Sequence, residues 1–286
     1  MKLRERWRIC GDHVNWLDNM PTTHRLEPGR SIRLADITTQ GKTFHQDRAT
    51  AKTEFVALRH ELIELQRRLY AEGRRKLLVV FQAMDAGGKD GTIRRVFRGV
   101  NPQGVRVASF KKPSVEDLAH DFLWRIHKAV PAAGMIGVFN RSHYEDVLVV
   151  RVESIVPESV WRPRYEAINR FENILAESGT TILKFYLHIS KNEQKNRFQA
   201  RLDVPDKYWK FSAADLEKRK QWEDYQAAYE DLLNQCTTLQ APWHVIPADQ
   251  KWYRNLAVSR VLVHALKQLD PRYPPPIEEL NQIVIP

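Results

Sequence analysis

At 286 residues and 43% hydrophobic, the chain can bury a substantial core, as one large α/β domain or two small ones. Its formal net charge of +10 points to an anionic partner; nucleic acid, a membrane surface and a phosphate polymer all satisfy charge alone. Cys10 and Cys236 are too few for a disulfide scaffold, the N-terminus lacks the apolar centre of a signal peptide, and no stretch is long enough to span a bilayer, so a soluble cytoplasmic protein is expected.

Residues 1 to about 48 carry scattered charge, Pro21, Pro28 and no sustained periodicity, which predicts an irregular N-terminal arm with Trp7 and Trp16 packed on the main body. From Ala49 to Tyr70 the apolar residues Phe55, Leu58, Leu62, Leu65 and Leu69 mark one face of a helix ending near Gly73. That stripe serves packing within the chain or at a dimer interface. The stretch KLLVVFQAMDAGGKDGTIRRV, Lys76 to Val96, predicts a buried strand over Leu77 to Phe81, a glycine loop, then a helix. A second strand is expected at Val105 to Phe110, and Ser114-x-x-Asp117 signals a helix carrying Leu118, Phe122, Leu123 and Ile126. The third strand, Met135 to Phe139, runs directly into Asn140-Arg141-Ser142-His143-Tyr144-Glu145-Asp146. A helix bearing Trp161, Tyr165, Ile168, Phe171 and Leu175 leads to a fourth strand, Thr181 to Leu187. Ser190-x-x-Glu193 caps a further helix that Pro205 stops, and a long polar helix is expected from about Ser212 to Cys236. A fifth strand at Trp243 to Ile246 and a helix over Lys251 to Leu269 precede an irregular tail, residues 271 to 286. Five strands alternating with helices predict one parallel, doubly wound sheet covered on both faces. Residues 49 to 270 form that single domain, with about 190 to 236 a helical lid over the carboxyl ends of the strands.

Three groups of polar residues fall at those carboxyl ends. The first is the loop Ala83 to Thr92. Strand, Gly-Gly-Lys and helix point backbone N–H groups and a helix N-terminus at a phosphate. Ala83 stands where a P-loop has its first glycine, and Asp90 replaces the Ser or Thr after Lys89. Asp85, inside the loop, would repel phosphate unless a cation lay between, which suggests a Mg²⁺-dependent phosphate site with its own metal ligand. The second group is residues 139 to 146. Asn140 takes the strand-end position where P-loop proteins carry an aspartate, and Arg141 can hold phosphate oxygens in a fork. Residue His143 is more often a packed histidine than a ligand. The third group is the basic lid, where Arg197 and Arg201, four residues apart, can converge on one anion. Tyr208, Trp209 and Phe211 interleave with Lys207 and Lys210, to stack on a base or to anchor the lid.

The combination AMDAGGKDGT, VNPQGVRV, FNRSHYEDVLVVRV, RFQARLDVPDKYWKF and WHVIPADQKWYRN resembles the polyphosphate kinase type 2 family over about Leu62 to Leu269. The resemblance implies a P-loop kinase-like three-layer α/β fold with a five-stranded parallel sheet and a helical lid. It implies reversible phosphoryl transfer between inorganic polyphosphate and a nucleotide with Mg²⁺ or Mn²⁺, in a homo-oligomer. The family's loop aspartate falls on Asp85, its loop lysine on Lys89, its strand-end arginine on Arg141 and its lid arginine on Arg201. The FNRSHYED form resembles the class III branch, so AMP and ADP are both expected acceptors, giving ADP and ATP. Ala86, Gly87, Gly88, Lys89, Asp90, Gly91, Arg141, Arg197, Arg201 and Lys210 are the expected phosphate contacts. Asp85, Asn140, Arg141 and Glu145 would face the nucleotide, and Asp85, Asn140 and Asp146 the metal. Two other readings share the sequence: an ATP-dependent nucleoside or nucleotide kinase on the same fold, and a basic nucleic-acid-binding protein with a vestigial loop.

Overall fold

In the computed structural model residues 22–276 are described, with Ile283 and Ile285; Cys10, Trp7, Trp16 and half of the tail lie outside the described residues. The first long element, α1 (Arg48–Glu72), starts where the Asp47 carboxylate accepts from the Ala49 N–H at 2.7 Å. It ends at Gly73, whose φ of +65° is a conformation glycine adopts freely. Strand β1 (Lys76–Gln82) and helix α2 (Lys89–Val96) follow, then β2 (Val105–Ser109) and the one-turn helices α3 (Val115–Leu118) and α4 (Trp124–His127). After β3 (Ile136–Asn140) come α5 (Glu145–Val152), α6 (Glu158–Trp161) and α7 (Arg164–Glu177). Strand β4 (Thr180–His188) leads into α8 (Lys191–Leu202), α9 (Ala213–Lys220) and α10 (Trp222–Gln235), and the fold closes with β5 (Trp243–Pro247) and α11 (Lys251–Leu269).

The strands form one five-stranded sheet in the order β2-β3-β1-β4-β5, every pair parallel. Central β1 has Leu77 to Phe81 wholly buried, as expected for a strand covered on both faces. Register pairs Phe81 with Asn140 and Gln82 with Tyr186, so the loop after β1, the end of β3 and the end of β4 open on one edge. The described part of the N-terminal arm joins the sheet. The Leu26 N–H donates to the Trp243 carbonyl and the Val245 N–H to the His24 carbonyl, both at 2.8 Å, which covers the free edge of β5.

Two expectations change, and one is narrowed. The stripe from Phe55 to Leu69 packs within the chain: Leu62 and Leu69 are fully buried, Phe55, Leu58 and Leu65 rest partly buried on the core, and α1 packs on α11. The helix expected after Ser114 breaks into α3 and α4, although its capping box forms as anticipated. The long polar helix over Ser212 to Cys236 divides at Gln221. Its second half buries Trp222, Tyr225, Tyr229, Leu232 and Leu233 against the core, so only α8, α9 and the turn between them extend over the strand ends.

Candidate active site

Backbone shape builds the loop. Ala86 has φ +59° and Gly88 φ +99°, and the Gly87 N–H closes a turn on the Met84 carbonyl at 2.9 Å. A Cβ at Gly87 would lie 2.5 Å from the Ala83 Cβ, so glycine is required there by space. Ala83 is accommodated because its methyl group fills the gap that Gly87 leaves. Lys89 folds back to donate to the Ala83 carbonyl at 2.9 Å. Burial first, and the Arg141 charge second, push its ammonium down to about 8, against the pull of Asp85, Glu145 and Asp90. A bound phosphate would reverse that shift.

Arg141 follows β3 with φ +62°, an uncommon conformation for a residue with a Cβ, while its N–H donates to the Phe81 carbonyl at 3.1 Å. This strained turn brings its guanidinium to Asp85 Oδ1 at 3.0 Å, with Glu145 Oε2 at 3.9 Å. Asp85, Arg141, Glu145, Gln194, Asp215 and Tyr229 line one cleft, with Lys218 and Arg219 at its rim. Gln194 fixes the loop by donating to the Asp85 carbonyl at 2.9 Å, and Arg219 holds the Gln194 oxygen at 2.7 Å. Desolvation raises the Asp215 carboxyl, the Asp85 charge adds to it, and Arg201 opposes both.

The expected residues do not all converge. Asp146 turns away from Asp85 toward Arg164 (3.4 Å) and Arg125 (3.9 Å), and lines a different cavity. Desolvation there pushes its carboxyl up to about 6, so the metal role expected for it does not fit its position. Asn140 donates its amide to Asp90 Oδ1 at 2.5 Å, which ties the end of β3 to the start of α2. Arg197 and Arg201 do not converge on one anion. Arg197 is buried beneath the loop and donates to the carbonyls of Ala86 (3.0 Å), Gly87 (2.9 Å) and Ala248, with Glu193 on its Nε. It shapes the loop from behind rather than clamping a phosphate in front. Arg201 pairs with Asp215 at 3.0 Å and donates to the Lys210 carbonyl at 2.9 Å. The Lys210 ammonium lies 4.8 Å from the Trp209 ring centre. Tyr208 and Trp209 are 55% and 78% exposed, so neither anchors the lid.

Two features escaped the motif reading. Arg254, in the first turns of α11, is 3% exposed and donates to the Gly87 carbonyl at 3.3 Å. A Cβ on Gly88 would collide with its guanidinium, which explains that glycine along with its positive φ. The motif WHVIPADQKWYRN contains Arg254, but no spacing rule says that its helix docks behind the loop. The second feature is a buried polar cluster of Lys184, Glu172, Tyr144 and His143 directly behind the strand-end turn. His143 is packed there, as its type predicted.

Hard oxygen donors suit Mg²⁺, which takes one or two carboxylates and completes its shell with water and substrate phosphates. Asp85 meets that requirement at the cleft. Among the described residues no three His, Cys, Asp or Glu side chains gather as a complete metal cage. No helix among them is long and apolar enough to cross a membrane.

A model of the family Polyphosphate kinase 2 (PPK2) matches residues 45–274. The chain is 56% identical over 263 residues to the AMP/ADP-polyphosphate phosphotransferase of Meiothermus ruber, covering 92% of this chain and 98% of that one. It is 45% identical to the ADP-polyphosphate phosphotransferase of Rhodopseudomonas palustris, over 87% and 91% of the two chains. The crystal structure of Polyphosphate Kinase 2 from Arthrobacter aurescens superposes with a TM-score of 0.85 at 44% identity, covering 90% of this chain and 92% of that one. With a phosphate-loop-like turn at the carboxyl edge of a parallel sheet and these matches over most of its length, the chain is a P-loop kinase-fold protein that belongs to the polyphosphate kinase 2 family.

Proposed function

We propose that the protein transfers a phosphoryl group from inorganic polyphosphate to AMP and to ADP, giving ADP and ATP, and runs the reverse reaction. The observation that carries this reading is Arg141. Its left-handed turn sets a guanidinium against Asp85, one short loop from Lys89, where two anionic substrates would meet. The names carried by the Meiothermus ruber and Rhodopseudomonas palustris relatives support the donor and the acceptors.

An acceptor phosphate oxygen attacks the terminal phosphorus of the chain. A P–O bond forms to the nucleotide as the P–O bond to the penultimate phosphate breaks, leaving polyphosphate one unit shorter. That acceptor oxygen is already deprotonated near neutral pH, so alignment and charge neutralisation are the main tasks. Lys89 and the loop N–H groups from Ala86 to Gly91 hold the transferred phosphate, and Arg141 holds the acceptor phosphate beside Glu145. Arg201, released from Asp215, would reach the transferred group from the lid. Asp85, with Asn140 nearby, would hold Mg²⁺ or Mn²⁺, which neutralises phosphate charge when bound.

The test is to incubate the protein with AMP or ADP and Mg²⁺, offer polyphosphate or ATP as donor, and resolve the nucleotides. ADP and ATP formed with polyphosphate support the reading. Transfer from ATP alone would make it an ordinary nucleotide kinase, and no transfer with salt-sensitive nucleic-acid retention would make it a binding protein.

A further inference from the structure

One buried carboxylate ties the corner after β5 to two distant segments. Asp249 is 9% exposed, and its Oδ1 accepts from the Ser190 N–H at 2.9 Å. Its Oδ2 accepts from the Thr39 hydroxyl at 2.8 Å and from the Gln40 side-chain amide. The Asp249 N–H in turn donates to the Thr39 carbonyl at 3.2 Å. Beside it the Gln250 amide donates to Gln40 Oε1 at 2.7 Å, and the Gln250 oxygen accepts from the Lys42 N–H at 3.3 Å. The N-terminal arm is therefore keyed into this corner by side chains as well as laid along the edge of β5. The same corner supports the site. Ser190 caps α8, its hydroxyl accepting from the Glu193 N–H at 3.0 Å. Two turns further, Arg197 donates to the Ala86 and Gly87 carbonyls of the phosphate loop and to the carbonyls of Ala248 and Asp249. The root of α8 and the underside of the loop thus both bear on residues 248 and 249.

We propose that Thr39 and Gln40 of the N-terminal arm are positioning residues for the phosphate loop, acting through Asp249 on the root of α8 and through Arg197 on the loop itself. A buried carboxylate oxygen stripped of its donors turns toward water rather than stay unpaired. The Ser190 contact and the two carbonyls that hold Arg197 belong to the same short corner, so that movement carries to α8 and to Arg197 together. The Gly87 carbonyl, held by Arg197 at 2.9 Å, shares a rigid peptide plane with the Gly88 N–H. A shift of Arg197 therefore re-aims a loop donor at the start of α2. The rate measured below rests on the proposed phosphoryl transfer; the loop geometry does not.

The test compares three full-length variants with the parent. Thr39→Val/Gln40→Leu keeps side-chain bulk and removes both donors to Asp249 Oδ2. Thr39→Ser keeps the hydroxyl. Tyr253→Phe removes the hydroxyl that lies 2.7 Å from His24 Nε2, which loosens the arm without touching Asp249. Steady-state transfer from polyphosphate to AMP and hydrogen exchange of backbone amides are measured below each melting midpoint. The double variant should lose about tenfold in kcat with the KM for AMP within about twofold, because misplaced phosphate donors cost rate while the acceptor cleft is intact. Its amides should exchange faster over residues 86–91 and 190–197, with β1 unchanged. Thr39→Ser should behave as the parent, and Tyr253→Phe should lower the melting midpoint alone. If the double variant unfolds below the assay temperature, Thr39→Val is read against Thr39→Ser by the same two measurements. Parental kcat and parental loop exchange without the two donors overturn the proposal. An equal loss of kcat in Tyr253→Phe also overturns it, because the arm would then act as a general prop. If the parent transfers nothing to AMP or ADP yet exchange over residues 86–91 responds to the arm, the positioning role stands and the proposed function falls.

Discussion

Lys184 lies within β4 with no exposed side-chain surface. Its ammonium donates to Glu172 Oε2 at 2.6 Å, the Tyr144 hydroxyl at 2.8 Å and the Cys236 carbonyl at 2.7 Å. The Tyr144 hydroxyl donates to Glu172 Oε1 at 2.7 Å, and His143 Nε2 lies 3.2 Å from the same oxygen. Lys184→Met keeps the length of the side chain and removes its charge, leaving a carboxylate that is 1% exposed with Tyr144 and His143 alone. Breaking one partner of a buried ion pair costs about 3–5 kcal/mol, which lowers the melting midpoint by roughly 6–20 °C for a chain of this size. The pH dependence has a definite sign. Burial favours a raised Glu172 carboxyl, and Lys184 followed by His143 outweigh it, holding the group below its usual 4.5. Without Lys184 burial prevails, and a raised carboxyl loses stability as pH climbs above 4.5. The deficit should therefore be smallest below pH 4.5 and complete at neutrality, measured by thermal unfolding across that range. Adding Glu172→Gln removes the stranded charge and should recover most of the loss. Because His143 and Tyr144 come two and three residues after Arg141, the single variant should also turn over more slowly at temperatures where it is folded. A single-variant midpoint within about 2 °C of the parent, or a deficit indifferent to pH, refutes the reasoning.

Asp85→Asn and Lys89→Ala should each lower kcat by about 10²–10³, read in steady-state polyphosphate-to-ADP transfer; near-parental rates would remove those residues from the site. Lys89 also predicts a pH limit. A bound phosphate favours its charged form, so polyphosphate affinity should fall as pH rises through about 8, and Lys89→Arg should flatten that fall. Folding stability has the opposite sign over pH 8 to 10.5, because the unfolded lysine still holds the proton that the folded one has lost. Asn140→Asp places a second carboxylate against Asp90, where an amide now donates at 2.5 Å. It should penalise ADP more than AMP, and an unchanged AMP-to-ADP rate ratio would show that this position does not sort acceptors. Gly88→Ala combines a φ of +99° with collision against Arg254, so it should destabilise by at least about 1–3 kcal/mol and impair phosphate binding, checked by denaturant unfolding and calorimetry.

Much of this protein was legible in the chain because its elements are short and strongly patterned. Leu77 to Phe81 had to be a buried strand, Gly73 and Ser190 marked helix ends, and Gly-Gly-Lys after a strand marked the loop. Asp85, Lys89 and Arg141 could be named as a site because they sit at strand ends, where local sequence fixes position. What the sequence could not supply was direction. Arg197 and Arg201 share helical spacing, yet one goes beneath the loop to backbone carbonyls and the other to Asp215, because spacing gives a face but not the neighbour on it. Asp146 is adjacent to Glu145, but successive helical residues point about 100° apart, so one reaches Arg141 while the other meets Arg164. The division of Ser212 to Cys236 and the buried Lys184–Glu172 pair likewise depend on which faces the core covers. Local pattern alone specifies the strand–loop–helix that can hold a phosphate. That α11 brings Arg254 behind the loop follows from packing, since a contact 167 residues apart depends on how the sheet and its helices come together.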